Sequence, residues 1–183
     1  MLYFDTSFLA PLILPEATSD KIAAFLRRLA AAELTVSHWT RVEFSSLIAR
    51  EVRMGGLDVQ AAGRADARFE AMVDESFSIL LPDAEDFGLA KRYLGRFETG
   101  LRAGDALHLA VADNHRATVI YSLDKTLLKA GKISWPAGEH GNTSRVIGAR
   151  KRRWVVAMLT IIKLSYSYPI PTASKIALWL APG

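Results

Sequence analysis

Two hydrophobic periods alternate along this chain, and that alternation constrains its fold more than any other feature. Residues 2–4 (LYF), 34–37 (LTVS), 77–81 (FSILL) and 118–122 (TVIYS) are short, nearly continuous apolar or β-prone runs. A strand with one wet face alternates apolar and polar residues, whereas a strand covered on both faces does not. Between the runs, apolar residues recur at spacings of three and four, as on one face of a helix. Ile22, Phe25, Leu26 and Leu29 form such a face behind Ser19, a candidate N-cap. Val42, Leu47, Ile48 and Val52 form another behind Thr40, ended by Gly55 and Gly56. Asp58 opens a helix striped by Ala62, Ala65, Phe69, Met72 and Val73, and Asp83 caps one carrying Phe87, Ala90 and Leu94. Ala106, Leu107, Leu109, Ala110 and Val111 mark a further helix, and 124–130 a short one stopped by Gly131. Strands alternating with helices predict an α/β domain on a parallel sheet covered on both sides.

Composition removes several function classes. The 183 residues include no cysteine, which excludes disulfide frameworks, thiol catalysis and Cys-ligated metal sites. That absence fits a reducing cytoplasm, the expected location. The first residues lack a basic segment and Asp5 interrupts their apolar run, which argues against a secretory signal. No stretch reaches the roughly 18 uninterrupted apolar residues of a membrane helix. Serine-hydrolase, dinucleotide and P-loop glycine motifs are absent.

Charge divides the chain. All 19 acidic residues lie in 1–140 with 16 basic ones, a sum of −3. Residues 141–183 hold the other 7 basic residues and no acid, so the overall +4 describes neither part.

In an open parallel sheet, ligands bind beyond the carboxyl ends of the strands. The polar residues expected there are mostly acids. Asp5 ends the first run, Glu43 falls in the first turn of the helix after LTVS, Asp105 opens the helix after Gly104, and Asp124 follows TVIYS. Each has a structural explanation, since Asp and Glu cap helix amides and suit the helix N-terminus. Asp5 is hardest to explain that way, because it closes a buried strand and a buried carboxylate is costly. Together the four suggest a cluster whose repulsion a cation would neutralise. Oxygen-only donors favour a hard ion, Mg²⁺ or Mn²⁺, and the chemistry such an ion supports is phosphodiester hydrolysis.

FDTSFL at 4–9, RVEFSSLIAR at 41–50, AGDALHLAVA at 103–112 and YSLDKTLLKA at 121–130 resemble the PIN-domain ribonucleases, and among them the VapC-type toxins of type II toxin–antitoxin systems. The resemblance spans residues 1–133. It implies a three-layer α/β/α fold on a short, mostly parallel sheet, and an Mg²⁺-dependent endoribonuclease. It also implies structured RNA as substrate, a cognate antitoxin and a homodimer. Residue by residue, it makes Asp5, Glu43, Asp105 and Asp124 the acidic quartet, with Asp5 and Asp105 as direct metal ligands. Thr6, Ser7 and Ser122 become hydrogen-bonding supports. The competing reading is a catalytically impaired protein that still binds antitoxin or RNA. A haloacid-dehalogenase-type reading fails because Ser7 stands where a second Asp is needed. His108, one turn beyond Asp105, is expected to pack or face solvent. Arg102, Lys125 and Lys129 are candidate phosphate contacts weighed against ordinary surface roles.

The resemblance stops near Ile133, where the family's short final strand should come next. Residues 134–144 carry turn chemistry instead, ahead of Arg150, Lys151, Arg152 and Arg153 and an apolar stretch at 154–162. The final strand is therefore expected to be missing or altered. Residues 134–183 are read as an atypical basic and apolar extension arising from a shifted reading frame or degeneration, against RNA-binding or membrane-surface alternatives. Translating the other frames of the coding DNA tests this. A short β-prone segment just after codon 133 is the expected result, and its absence from every frame counts against the idea.

Overall fold

The computed structural model describes residues 1–134 and 155–157. Five strands form one parallel sheet in the order β3-β2-β1-β4-β5. They are β1 (Leu2–Phe4), β2 (Leu34–Ser37), β3 (Ser78–Leu80), β4 (Val119–Tyr121) and β5 (Val155–Ala157). The helices are α1 (Thr6–Leu9), α2 (Ser19–Leu26), α3 (His38–Arg53), α4 (Val59–Ser76), α5 (Ala84–Leu94), α6 (Ala103–Asn114) and α7 (Lys125–Ser134). β1 is central, with Leu2 opposite Leu34 on one side and Val119 on the other. The sheet order reverses at β1, which is where doubly wound sheets open a crevice.

Neighbouring side chains of a strand point to opposite faces, so β1 feeds two separate cores. Phe4 belongs to a core shared with α1 to α4, including Phe8, Ile22, Leu26, Phe44, Ile48, Phe69 and Val73. Tyr3 belongs to a second core with Leu89, Tyr93, Leu107, Leu109, Val111 and Leu127 from α5, α6 and α7. Both side chains are fully buried. The sheet therefore has apolar cover on both faces, as its continuous runs predicted.

Most helix starts obey the capping logic. The Asp58 carboxylate accepts from the Ala61 amide at 2.6 Å, and Asp83 accepts from Glu85 and Asp86 at 2.8 and 3.1 Å. Three expectations about helix ends need correction. Gly131 does not stop α7, which continues to Ser134. Ser19 is not a cap but the first residue of α2; its hydroxyl donates to the Pro11 carbonyl and accepts from the Glu16 amide. α3 begins two residues before Thr40, with Ser37 as its cap and Thr40 completing a reciprocal capping box. Val42, expected on the apolar face, is 57% exposed, and Phe44 takes the core position beside Ile48. Phe87 is likewise 57% exposed. The short α1 was not anticipated, because four residues show no period.

The final strand is present but altered in position. β5 pairs in parallel with β4, Val119 opposite Val155, and comes from the apolar stretch behind the basic cluster. Residues 135–154 and 158–183 lie outside the described part, and with them the basic cluster and most of the extension.

Phe44 and Phe69 stack with ring centroids 3.9 Å apart and planes 7° from parallel, joining α3 to α4. Phe69→Ala should cost about 3–5 kcal/mol, because neighbouring helices close such a cavity only partly. Urea denaturation monitored by circular dichroism measures it, and a loss near zero would mean that α4 does not depend on this stack.

Candidate functional site

Strand ends place the first carboxylate. Asp5 comes directly after β1, and its amide donates to the Tyr121 carbonyl at 3.1 Å, extending the β1–β4 pairing by one step. Its side chain turns back to cap α1: Oδ1 accepts from the Phe8 amide at 3.0 Å and from the Ser7 hydroxyl at 2.8 Å. Asp5 is only 3% exposed. Burial drives its carboxyl upward in pKa, and His108, Ser122, Ser7 and the Phe8 amide oppose the rise without cancelling it.

The serines tie this turn to the end of β4. Ser7 Oγ lies 3.2 Å from Ser122 Oγ and accepts from the Leu123 amide at 2.9 Å. Ser122 Oγ accepts from the Asp124 amide at 2.9 Å. Asp124 Oδ1 in turn accepts from the amides of Thr126 and Leu127 at 2.6 and 2.9 Å, so it caps α7. Thr6 is buried and its hydroxyl donates weakly to the Thr40 carbonyl at 3.4 Å.

Glu43 lies in the second turn of α3, not the first, because α3 starts earlier than Thr40. A helix-dipole role therefore does not account for it. Its Oε2 lies 2.8 Å from Nε2 of His108, which is 1% exposed. His108 is thus neither a surface residue nor a mere packing residue. Burial pushes the Glu43 carboxyl up, but the hydrogen bond and charge of His108, with a contribution from Thr6, leave it below its ordinary range. Asp105, near the start of α6, is pushed up to about 6, first by burial and then by repulsion from Asp124 and Glu43.

All four acids line one cavity of about 550 Å³, with Thr6 and Ser7 beside them. Ser122 is buried and braces Asp124. Arg50, Arg53 and Arg102 line the same cavity, as does Trp39. Arg102 was a candidate; Arg50, Arg53 and Trp39 were missed. Their signal was present, since Glu43, Ser46, Leu47, Arg50 and Arg53 recur at helical spacing from the one acid singled out on α3. Lys125 and Lys129 do not line it. Among the described residues the Trp39 indole N–H has no hydrogen-bond partner. No group of three or more acidic or histidine side chains among them stands ready to cage a cation. No helix among them is long and apolar enough to cross a membrane.

A fold in which acids at the carboxyl ends of a parallel sheet meet in one crevice has a match among protein families. The PIN-domain family model covers residues 2–133, and the chain belongs to that family. Solved structures share the fold. The sarcin–ricin-loop-cleaving toxin VapC20 of Mycobacterium tuberculosis is 22% identical with a TM-score of 0.57, covering 72% of this chain and 95% of its own. FitAcB of Neisseria gonorrhoeae is 19% identical with a TM-score of 0.59, covering 72% and 94%. VapBC-1 of nontypeable Haemophilus influenzae is 16% identical with a TM-score of 0.51, covering 71% and 92%. No curated protein sequence matches the chain.

Asp105 generates a pH prediction. Its folded pKa of about 6 exceeds the ordinary 3.8, so its contribution to stability is fully present below pH 3.8 and is lost as pH rises through about 6. In metal-free buffer Asp105→Asn should melt higher than the parent at pH 7.5, with the advantage shrinking as pH falls below about 6. Thermal melts from pH 4.5 to 8 test this; an advantage independent of pH would show that the carboxylate is not strained.

Proposed function

We propose that this chain is a divalent-metal-dependent endoribonuclease of the VapC toxin type. One observation carries the proposal: four carboxylates from four separate segments line a single cavity, and Asp105 is pushed up to about 6 partly by its acidic neighbours. Repulsion of this kind is what a bound cation relieves, and oxygen donors suit Mg²⁺ or Mn²⁺. Asp5 and Asp105 would hold the ion, with Glu43 and Asp124 completing its surroundings directly or through water. When bound, the ion would supply charge stabilisation for a phosphorane-like state and a more acidic water.

The remaining groups suit an anionic polymer. Arg50, Arg53 and Arg102 line the same cavity as the carboxylates, so a phosphodiester entering it meets positive charge. Guanidinium forks can hold non-bridging oxygens while a carboxylate orients water for in-line attack on phosphorus. Cleavage in this manner leaves 5′-phosphate and 3′-hydroxyl ends. The toxin reading brings a cognate antitoxin as partner and a homodimer as the assembly. It is supported by family membership and by a fold shared with a toxin that cleaves the sarcin–ricin loop.

Purified chain incubated with total RNA and Mg²⁺, with EDTA as control, tests the activity. Asp5→Asn should lower the cleavage rate about 10²–10³-fold while the protein stays folded, because asparagine retains the oxygen that caps α1. Full activity in that folded variant would sink the assignment of Asp5, and EDTA-resistant cleavage would sink the metal requirement.

A further inference from the structure

The nuclease reading uses Glu43 but leaves unexplained the polar side chains sealed beneath it. Tyr3 and Ser37 are fully buried, and His108 nearly so. They come from three elements: Ser37 ends β2, Tyr3 is the middle residue of β1, and His108 lies on α6. Tyr3 Oη is 2.8 Å from Ser37 Oγ and 2.9 Å from His108 Nδ1. His108 Nε2 is 2.8 Å from Glu43 Oε2. An apolar trio would fill this volume without the desolvation cost of burying a hydroxyl, a phenol and an imidazole.

Chemistry fixes the direction of the hydrogen bond that reaches Glu43. An ionised carboxylate only accepts, so His108 Nε2 carries a proton and donates it to Glu43. Tyr3 Oη bridges His108 Nδ1 and Ser37 Oγ, so the phenol ties the ring back to the end of β2. Hydrogen bonds linked in series in this way reinforce one another. The other carboxylate oxygen is confined differently. A Cβ built on Gly104 would lie 3.0 Å from Glu43 Oε1 and 3.3 Å from the Trp39 ring. Oε1 therefore packs over the bare backbone of Gly104 at the cavity wall, while Oε2 is held below.

We infer that Ser37, Tyr3 and His108 form a positioning chain that locks Glu43 in one rotamer, Oε2 tethered beneath the cavity and Oε1 left to address what binds in it. Neither Tyr3 nor His108 lines the cavity, so both act through Glu43. The inference rests on the nuclease reading. It adds a reason why that site needs a histidine on α6 and a tyrosine, not a phenylalanine, at the middle of β1. Supports of this kind are typically worth about 10–100-fold in metal affinity or activity.

The test compares the parent full-length chain with His108→Leu, His108→Gln and Tyr3→Phe. Mn²⁺ affinity is read from the electron paramagnetic resonance of free Mn²⁺, kcat and KM from cleavage of total RNA, and folding from thermal melts. His108→Leu should weaken Mn²⁺ binding and lower kcat by about 10–100-fold, with KM within about twofold. Glutamine places an amide donor near the former Nε2, so His108→Gln should recover most of both losses. Tyr3→Phe keeps the ring in the core and should lose about 3–10-fold in both, the smaller effect expected one link further from Glu43. If His108→Leu does not fold, Tyr3→Phe decides the matter. Folded His108→Leu or Tyr3→Phe protein with parental Mn²⁺ affinity and kcat would overturn the positioning chain and leave the nuclease reading intact. Parent protein that neither binds Mn²⁺ nor cuts RNA would overturn both.

Discussion

A carboxylate buried where the central strand ends is the constraint on which the site depends. Asp5 is nearly inaccessible, yet hydrogen bonds are donated to it by the Phe8 amide and the Ser7 hydroxyl, and Ser7 links it to the turn that carries Ser122 and Asp124. Removing those partners would leave a cost that the core around Phe4 and Phe8 would have to absorb. With them in place, the end of β1 and the end of β4 become one hydrogen-bonded unit. Asp5, Ser7 and Asp124 of that unit line the cavity together with residues of α3 and α6.

The strands here are three or four residues long. Short strands leave little room between the sheet and the helix starts, so residues that cap helices also face the crevice. Asp5 and Asp124 show this directly: each gives Oδ1 to helix amides while lining the cavity. The structural and functional readings of these acids are therefore compatible. The same carboxylate stabilises a helix start and adds to the negative charge of the crevice, and the charge of Asp124 pushes Asp105 upward.

Much of this was legible beforehand because it depends on local pattern. Continuous runs marked the four strands of the body, and Asp58 and Asp83 marked helix starts. What escaped notice depended on exact phase or on long-range contact. On α3, apolarity alone assigns Val42 to the buried stripe, whereas the phase set by Phe44 and Ile48 leaves it exposed. Arg50 and Arg53 share the cavity with Glu43 through the helical spacing of seven and ten residues, a relation that apolar patterning does not weigh. His108 could not be paired with Glu43 from sequence, since 65 positions separate them and only the packing of α6 on α3 brings them together. The final strand was expected immediately after α7, where turn chemistry ruled it out; its actual source was a run read only as apolar.

The double duty of Asp5 and Asp124 has an evolutionary consequence. Asparagine offers the same carbonyl oxygen to a helix start without the charge, and aspartate and asparagine codons differ by one base. The fold thus sets almost no barrier between a charged crevice and a neutral one. On the nuclease reading proposed above, a single transition would remove one charge from the site and still leave a well-folded chain. Any partner that grips its outer surface would bind the neutral form as readily as the charged one.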